Sequence, residues 1–236
     1  MIGPRKISHV DYPQQAEERV IVLGGIGPNF LCMRRMATYL QEQGYAVTMI
    51  HYPSTRHALE PLVRDHVAPA VAQANTEPDQ PLHFVTLSMG GIVFRQLLAC
   101  ARPANLGRAV LVAPPNGGSE VADFFREWAL FRWLFGPAGP ELGTRPSDRP
   151  KALGPINGAE VGVIAGTRSI DPWFDPMFGR QHRGAHDGKV TVASARMEGL
   201  ADFLTLQDNH YTIIRSPETL RQTTYFLRSG HFEHES

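Results

Sequence analysis

Cysteine is scarce in this chain, which has Cys32 and Cys100 and no others. Two thiols in a protein of this size do not make a disulfide framework, and both are expected as buried thiols. An excess of charge is missing as well, because 23 basic side chains face 23 acidic ones. With no run of Lys or Arg to meet phosphates, nucleic acid is not an expected partner. Long apolar runs are also lacking: nothing approaches the roughly twenty apolar residues of a membrane span. The opening MIGPRKISHVDYPQQ has no stretch of signal-peptide length. These absences lead to the expectation of a soluble, cytoplasmic protein with no integral membrane segment. Repeats and low-complexity segments are not found, and the length suits one domain over 1–236.

What is present is an alternation. Apolar runs recur at Arg19 to Leu23, Ala46 to Ile50, Leu82 to Leu87, Ala109 to Ala113, Val161 to Ala165 and Phe203 to Leu206. Continuous runs of this length suit strands buried on both faces. Between the first two, Phe30, Met33, Ala37 and Leu40 fall at helical spacing, with Asn29 placed to cap the helix and Gly44 to end it. Further helices are expected over about 58–73, 89–99 and 217–227. Strand and helix in turn predict an α/β fold with a sheet of about six strands, mainly parallel, covered by helices on both faces.

One interval, about 116–158, breaks the rhythm with an aromatic-rich segment, EVADFFREWALFRWLFGPAG, followed by Pro and Gly. It reads as an excursion that leaves the sheet at its carboxyl edge, where ligands bind in open α/β sheets. Val121, Phe124, Phe125, Trp128, Phe131 and Phe135 mark one helical face, and Trp133 and Leu134 widen it. Such a stripe is more often core. The sharper reading makes Phe124 and Trp128 part of an acyl-binding wall or short lid.

The decisive string is HFVTLSMGGIVFRQLL, in which a buried strand runs through Ser88 directly into a helix. A nucleophile elbow requires this context: the serine sits on strained backbone at the tip of the turn, and small neighbours let strand and helix approach closely. The helix N-terminus favours negative charge beside Ser88, which makes the Met89 N–H an oxyanion donor. The plainer alternative is that Ser88 only caps the helix while Gly90 and Gly91 only ease packing.

On these residues the elbow resembles that of the α/β-hydrolase superfamily, specifically small bacterial lipase/esterase-like proteins of the PGAP1-like (GPI inositol-deacylase-like) group. The resemblance covers most of the chain. It departs from the usual pattern at Thr86, where glycine is usual two positions before the serine. Gly24-Gly25-Ile26-Gly27 resembles the family's His-Gly-x-Gly loop, which implies the Ile26 N–H as second oxyanion donor and a substrate-facing Gly25. Gly24 stands where the family has histidine, so that side chain's hold on the loop is missing. A dinucleotide-binding turn would need further glycine spacing and an acidic residue after the second strand, which ends instead in Ile50-His51-Tyr52-Pro53.

A serine hydroxyl at neutral pH needs a base, which in this fold follows the acid near the C-terminus. Of ten histidines, His210 alone lies in a polar loop between the last apolar run and the final helix. His51 and His57 precede the elbow, and His231 and His234 lie in what reads as a frayed tail. The orienting acid should follow the strand Val161 to Ala165, where Asp171, Asp175 and Asp187 are candidates. Asp187 begins Asp187-Gly188-Lys189-Val190, which resembles the family's acid loop; Asp171 is the runner-up, and an Asx turn on Gly188 is the plain alternative. The expected chemistry is hydrolysis of a small-molecule or lipid carboxylic ester through an acyl-enzyme, with no metal or organic cofactor. Thioester or amide cleavage, acyl transfer and a non-catalytic binding role are the alternatives. Oligomeric state is not legible.

Overall fold

A computed structural model of the chain describes residues 9–12, 18–27, 29–170 and 184–234. Seven strands form one sheet: β1 (His9–Tyr12), β2 (Arg19–Leu23), β3 (Ala46–Ile50), β4 (Leu82–Leu87), β5 (Leu106–Val112), β6 (Val161–Gly166) and β7 (Asp202–Leu206). Their order is β1-β3-β2-β4-β5-β6-β7; β1 runs antiparallel to β3 and every other pairing is parallel. Every residue of β3, β4 and β6 is buried, as expected of strands covered on both faces. The six strands read from the apolar runs are present. The seventh, β1, is a four-residue edge strand whose mixed sequence HVDY carries no such run.

The two-residue period of β2 divides the core. Ile21 and Leu23 pack in one cluster with Phe84, Ile92 and Leu97, whereas Val20 and Val22 pack in the other with Met36, Leu40 and Phe226. The first cluster is covered by α2 (Leu59–Leu62), α3 (Ala68–Ala74) and α4 (Met89–Ala101). The second lies under α1 (Arg34–Glu42) and α7 (Pro217–Ser229). A 3-10 turn over Asn29–Met33 precedes α1; the Asn29 side chain lies outside the described residues. Gly44 has φ 94° just past the end of α1, the left-handed position that favours glycine. Between α2 and α3 a π turn spans Val63–Val67. Pro69 explains it, since its ring crowds the carbonyl four residues back and it has no N–H to donate.

Three expectations need correction. The thiols are not buried: Cys100 is exposed near the end of α4 and Cys32 is half-buried. The aromatic segment is two short helices, α5 (Glu120–Phe125) and α6 (Ala129–Phe135), broken where Trp128 turns extended at ψ 124°. It is core only in part: Phe131 packs on the first cluster, whereas Phe124, Trp128, Leu130, Trp133 and Leu134 are all at least half exposed.

The tail after α7 is also ordered rather than frayed. Phe232 is 1% exposed and its ring lies 4.8 Å from that of Phe226. Both rings fill the space that a side chain at Gly162 would occupy. The Phe232 N–H donates to Asp202 and the Glu233 N–H to Gln222. Phe232→Ala is therefore expected to cost about 3–5 kcal/mol of stability, read as a lower urea midpoint. An unchanged midpoint would restore the frayed tail.

Candidate active site

The strand order reverses around β2, which lies between β3 and β4, and the crevice beyond the carboxyl ends of such strands is where ligands bind. In parallel register Leu23 pairs with Thr86, so the chain leaves β2 at Gly24 close to where it leaves β4 at Ser88. Ser88 has φ 53° and ψ −122°, a conformation that costs a non-glycine residue about 1–3 kcal/mol. Its N–H is held by the Val112 carbonyl at 2.8 Å, and its own carbonyl accepts from the Gly91 N–H at 2.9 Å.

The two glycines after the serine have separate tasks. A Cβ at Gly90 would stand 2.5 Å from the Leu23 carbonyl oxygen and 2.7 Å from that of Gly24, so only glycine lets α4 start against the end of β2. A Cβ at Gly91 would meet Pro114 at 2.9 Å and the Thr86 hydroxyl at 3.5 Å. Gly91 thus makes room for Pro114, while Thr86, fully buried in β4, stands at ordinary contact distance.

Beside Ser88 stand two of the other side chains read from the sequence. His210 Nε2 lies 3.1 Å from Ser88 Oγ, and His210 Nδ1 lies 2.7 Å from Asp187 Oδ2. A carboxylate only accepts, so Nδ1 carries the proton and the Nε2 lone pair faces the serine hydroxyl. Asp187 is 1% exposed, and its other oxygen accepts from the N–H groups of Lys189 (2.9 Å) and Val190 (2.8 Å). The Asx turn and the contact with His210 are made by one carboxylate at once. The backbone repeats the link, His210 N–H donating to the Asp187 carbonyl at 2.9 Å. Asn209, 9% exposed, accepts from the Tyr211 and Thr212 N–H groups and so fixes the turn that aims His210. Asp171 and Asp175 lie outside the described residues.

The Gly24–Gly27 loop is held from the connection after β3. The buried Tyr52 hydroxyl donates to the Gly24 carbonyl, and Ser54 Oγ accepts from the Gly27 N–H at 2.9 Å. Burial pushes the Tyr52 phenol well up, which keeps it a protonated donor. Ile26 packs against the cluster that contains Met89. Tyr52 and Ser54 thereby supply the hold on the loop that the residue at 24 cannot. Sequence reading passed over them because their partners lie 28 and 27 positions away. Asn209 carried a readable signal, an Asx residue next to the histidine.

The excursion is tied to the same corner. Ser119 Oγ donates to the Lys189 carbonyl, and Asn116 Nδ2 to that of Ala195. The buried Arg95 of α4 holds both ends, donating to the carbonyls of Asn116, Pro150 and Gly154. Burial lowers its guanidinium to about 10. Phe124 and Trp128 stand in an aromatic cluster with Phe125, about half of each open to solvent. Among the described residues no group of three or more His, Cys, Asp or Glu is placed to hold a metal.

No family model matches the chain. Two curated proteins are similar in sequence: the lysosomal thioesterase PPT2 of Bos taurus and that of Homo sapiens. The bovine protein is 28% identical over 143 residues, 54% of this chain and 46% of that protein. The human one is 27% identical over 139 residues, with shares of 52% and 45%. The match thus spans less than half the length of these relatives. Among solved structures, the mature Bacillus licheniformis lipase BlEst2 superposes with a TM-score of 0.73 at 18% identity, covering 93% of this chain and 98% of that one. A carboxylesterase structure from Nitrososphaera gargenis has a TM-score of 0.64 at 15% identity, with 94% of each chain covered.

A serine so placed is expected to react with a fluorophosphonate, and peptide mass mapping should find the label on Ser88 and none in Ser88→Ala. Labelling elsewhere, or none in the parent, would remove Ser88 from the chemistry.

Proposed function

From an α/β-hydrolase fold we propose that the protein is a serine hydrolase that cleaves carboxylic esters through an acyl-enzyme on Ser88. The observation that carries this reading is the continuous chain from Ser88 Oγ through His210 to the buried Asp187. His210 Nε2 takes the hydroxyl proton as Oγ attacks the acyl carbon. The carbonyl electrons collect on oxygen, which the Ile26 and Met89 N–H groups receive. Collapse of the tetrahedral species breaks the bond to the leaving oxygen, and the imidazolium returns its proton to the departing alcohol. Water then repeats the cycle and releases the acid. Asp187 holds the imidazolium and fixes its tautomer. Gly25 permits the turn of the loop, and Phe124 and Trp128 offer the apolar surface for the acyl chain.

A second reading has its own support. The similar sequences belong to a thioesterase, and the same three side chains would serve a thioester, His210 passing the Ser88 proton to the departing sulfur. Turnover of matched p-nitrophenyl esters and acyl-coenzyme A thioesters decides between them. The parent is expected to act on esters, and Ser88→Ala to lose that activity. Asp187→Asn should lower kcat by roughly three to four orders of magnitude. Activity confined to thioesters would overturn the ester reading, and equal turnover by Ser88→Ala the mechanism. Acetyl preferred to octanoyl would count against the acyl wall.

The clamp on the loop makes a separate expectation. Ser54→Ala and Tyr52→Phe leave the donors in the chain but free the loop that aims them, so kcat should fall about tenfold to a hundredfold with little change in KM. A rise in KM with kcat unchanged would place both residues in substrate binding instead.

A further inference from the structure

The exposed large apolar side chains of the described residues all follow the carboxyl ends of strands. Leu31 follows β2, Phe124, Trp128, Leu130, Trp133 and Leu134 follow β5, Ile170 follows β6 and Tyr211 follows β7. An exposed apolar surface on one rim is uncommon in a protein that meets only water. Its densest part is α6, ALFRWLF, where Leu130, Trp133 and Leu134 share one face and are 63%, 78% and 50% exposed. The opposite face, Phe131 and Phe135, is half-buried against Phe125.

This helix is fixed to the rim. Gly136, which ends it, lies so close to the Thr55 carbonyl that no side chain fits there, and Thr55 adjoins the Ser54 that holds the Gly24–Gly27 loop. At the other end Ser119 rests on the Asp187 turn. The aromatic helices therefore reach from one side of the Ser88 crevice to the other.

The charges of the same rim select the occupant. Arg34, Arg35, Arg132, Arg168 and Arg215 are exposed in these segments, and Glu127 is the one exposed carboxylate among the described residues of the excursion helices and their join. Arg132 sits within α6, between Phe131 and Trp133. Tryptophan and leucine flanked by arginine suit the boundary of a bilayer, where the rings enter the headgroup layer and the guanidinium groups meet phosphates.

We infer that this rim docks on an anionic lipid surface, with α6 as the element that enters it. Docking sets the Ser88 crevice against the membrane and does not require chemistry at Ser88.

The test uses the full chain carrying Ser88→Ala, which leaves the lipid intact, in sedimentation with phosphatidylcholine vesicles with or without about one third phosphatidylglycerol. Binding to the anionic vesicles is expected, weakened by salt. The triple change Leu130→Gln, Trp133→Ser, Leu134→Gln should lower it at least about tenfold. Arg132→Glu should weaken binding to anionic vesicles and spare that to neutral ones. An unchanged melting temperature of the variants shows that they are folded, independently of any catalytic readout. No binding by the folded parent, or equal binding by the triple variant, would overturn the inference. So would a dimer that the triple variant dissociates, since the face would then belong to a second copy.

Discussion

The parallel register that sets Leu23 beside Thr86 governs the rest of the site. It brings the ends of β2 and β4 level, so the glycine loop and Ser88 emerge side by side at the reversal of strand order. The proximity has a steric condition at Gly90, where any side chain would strike the carbonyls of Leu23 and Gly24. Those carbonyls are the path by which the loop leaves the sheet. A change of register by one residue would invert the faces of β2 and with them the two core clusters. The strained backbone of Ser88 is held by that packing, since its N–H is fixed by β5 and its carbonyl by α4.

Much of this was legible because buried parallel strands write their burial directly as apolar runs. Serine between such a run and a helix is a local pattern, as is a histidine after the last strand. What failed was of two kinds. The stripe from Val121 to Phe135 has helical period, yet the chain breaks within it. Arg126 is drawn to Asp148 and the Pro140 carbonyl, buried partners that periodicity cannot reveal. The tail HFEHE looks polar and loose, but one phenyl ring finds a hole that exists because residue 162 is glycine.

The contacts around Gly24 and Asp187 make a related point. Gly24 reads as a departure from a pattern, and it is answered by residues distant in sequence, Tyr52 and Ser54. At Asp187 the Asx turn and the contact with His210, alternatives in the sequence, coexist. A carboxylate has two oxygens, and the turn that occupies one leaves the other rigidly aimed at His210. The turn is what makes the orientation stiff.

Net charge is a property of the whole chain, and its vanishing says little about any one face. Here the acids Glu77, Asp79, Glu160 and Glu198 are exposed in connections that precede strands, at the amino end of the sheet. The exposed Arg34, Arg35, Arg132, Arg168 and Arg215 lie in segments that follow strands, whereas the exposed Arg102 and Arg196 precede them. The vanishing net charge therefore hides an uneven surface. The carboxyl rim bears the strained serine, the N-terminus of α4 and the exposed aromatics. That coincidence follows from the topology, because in a parallel sheet every strand-to-helix connection leaves at that end.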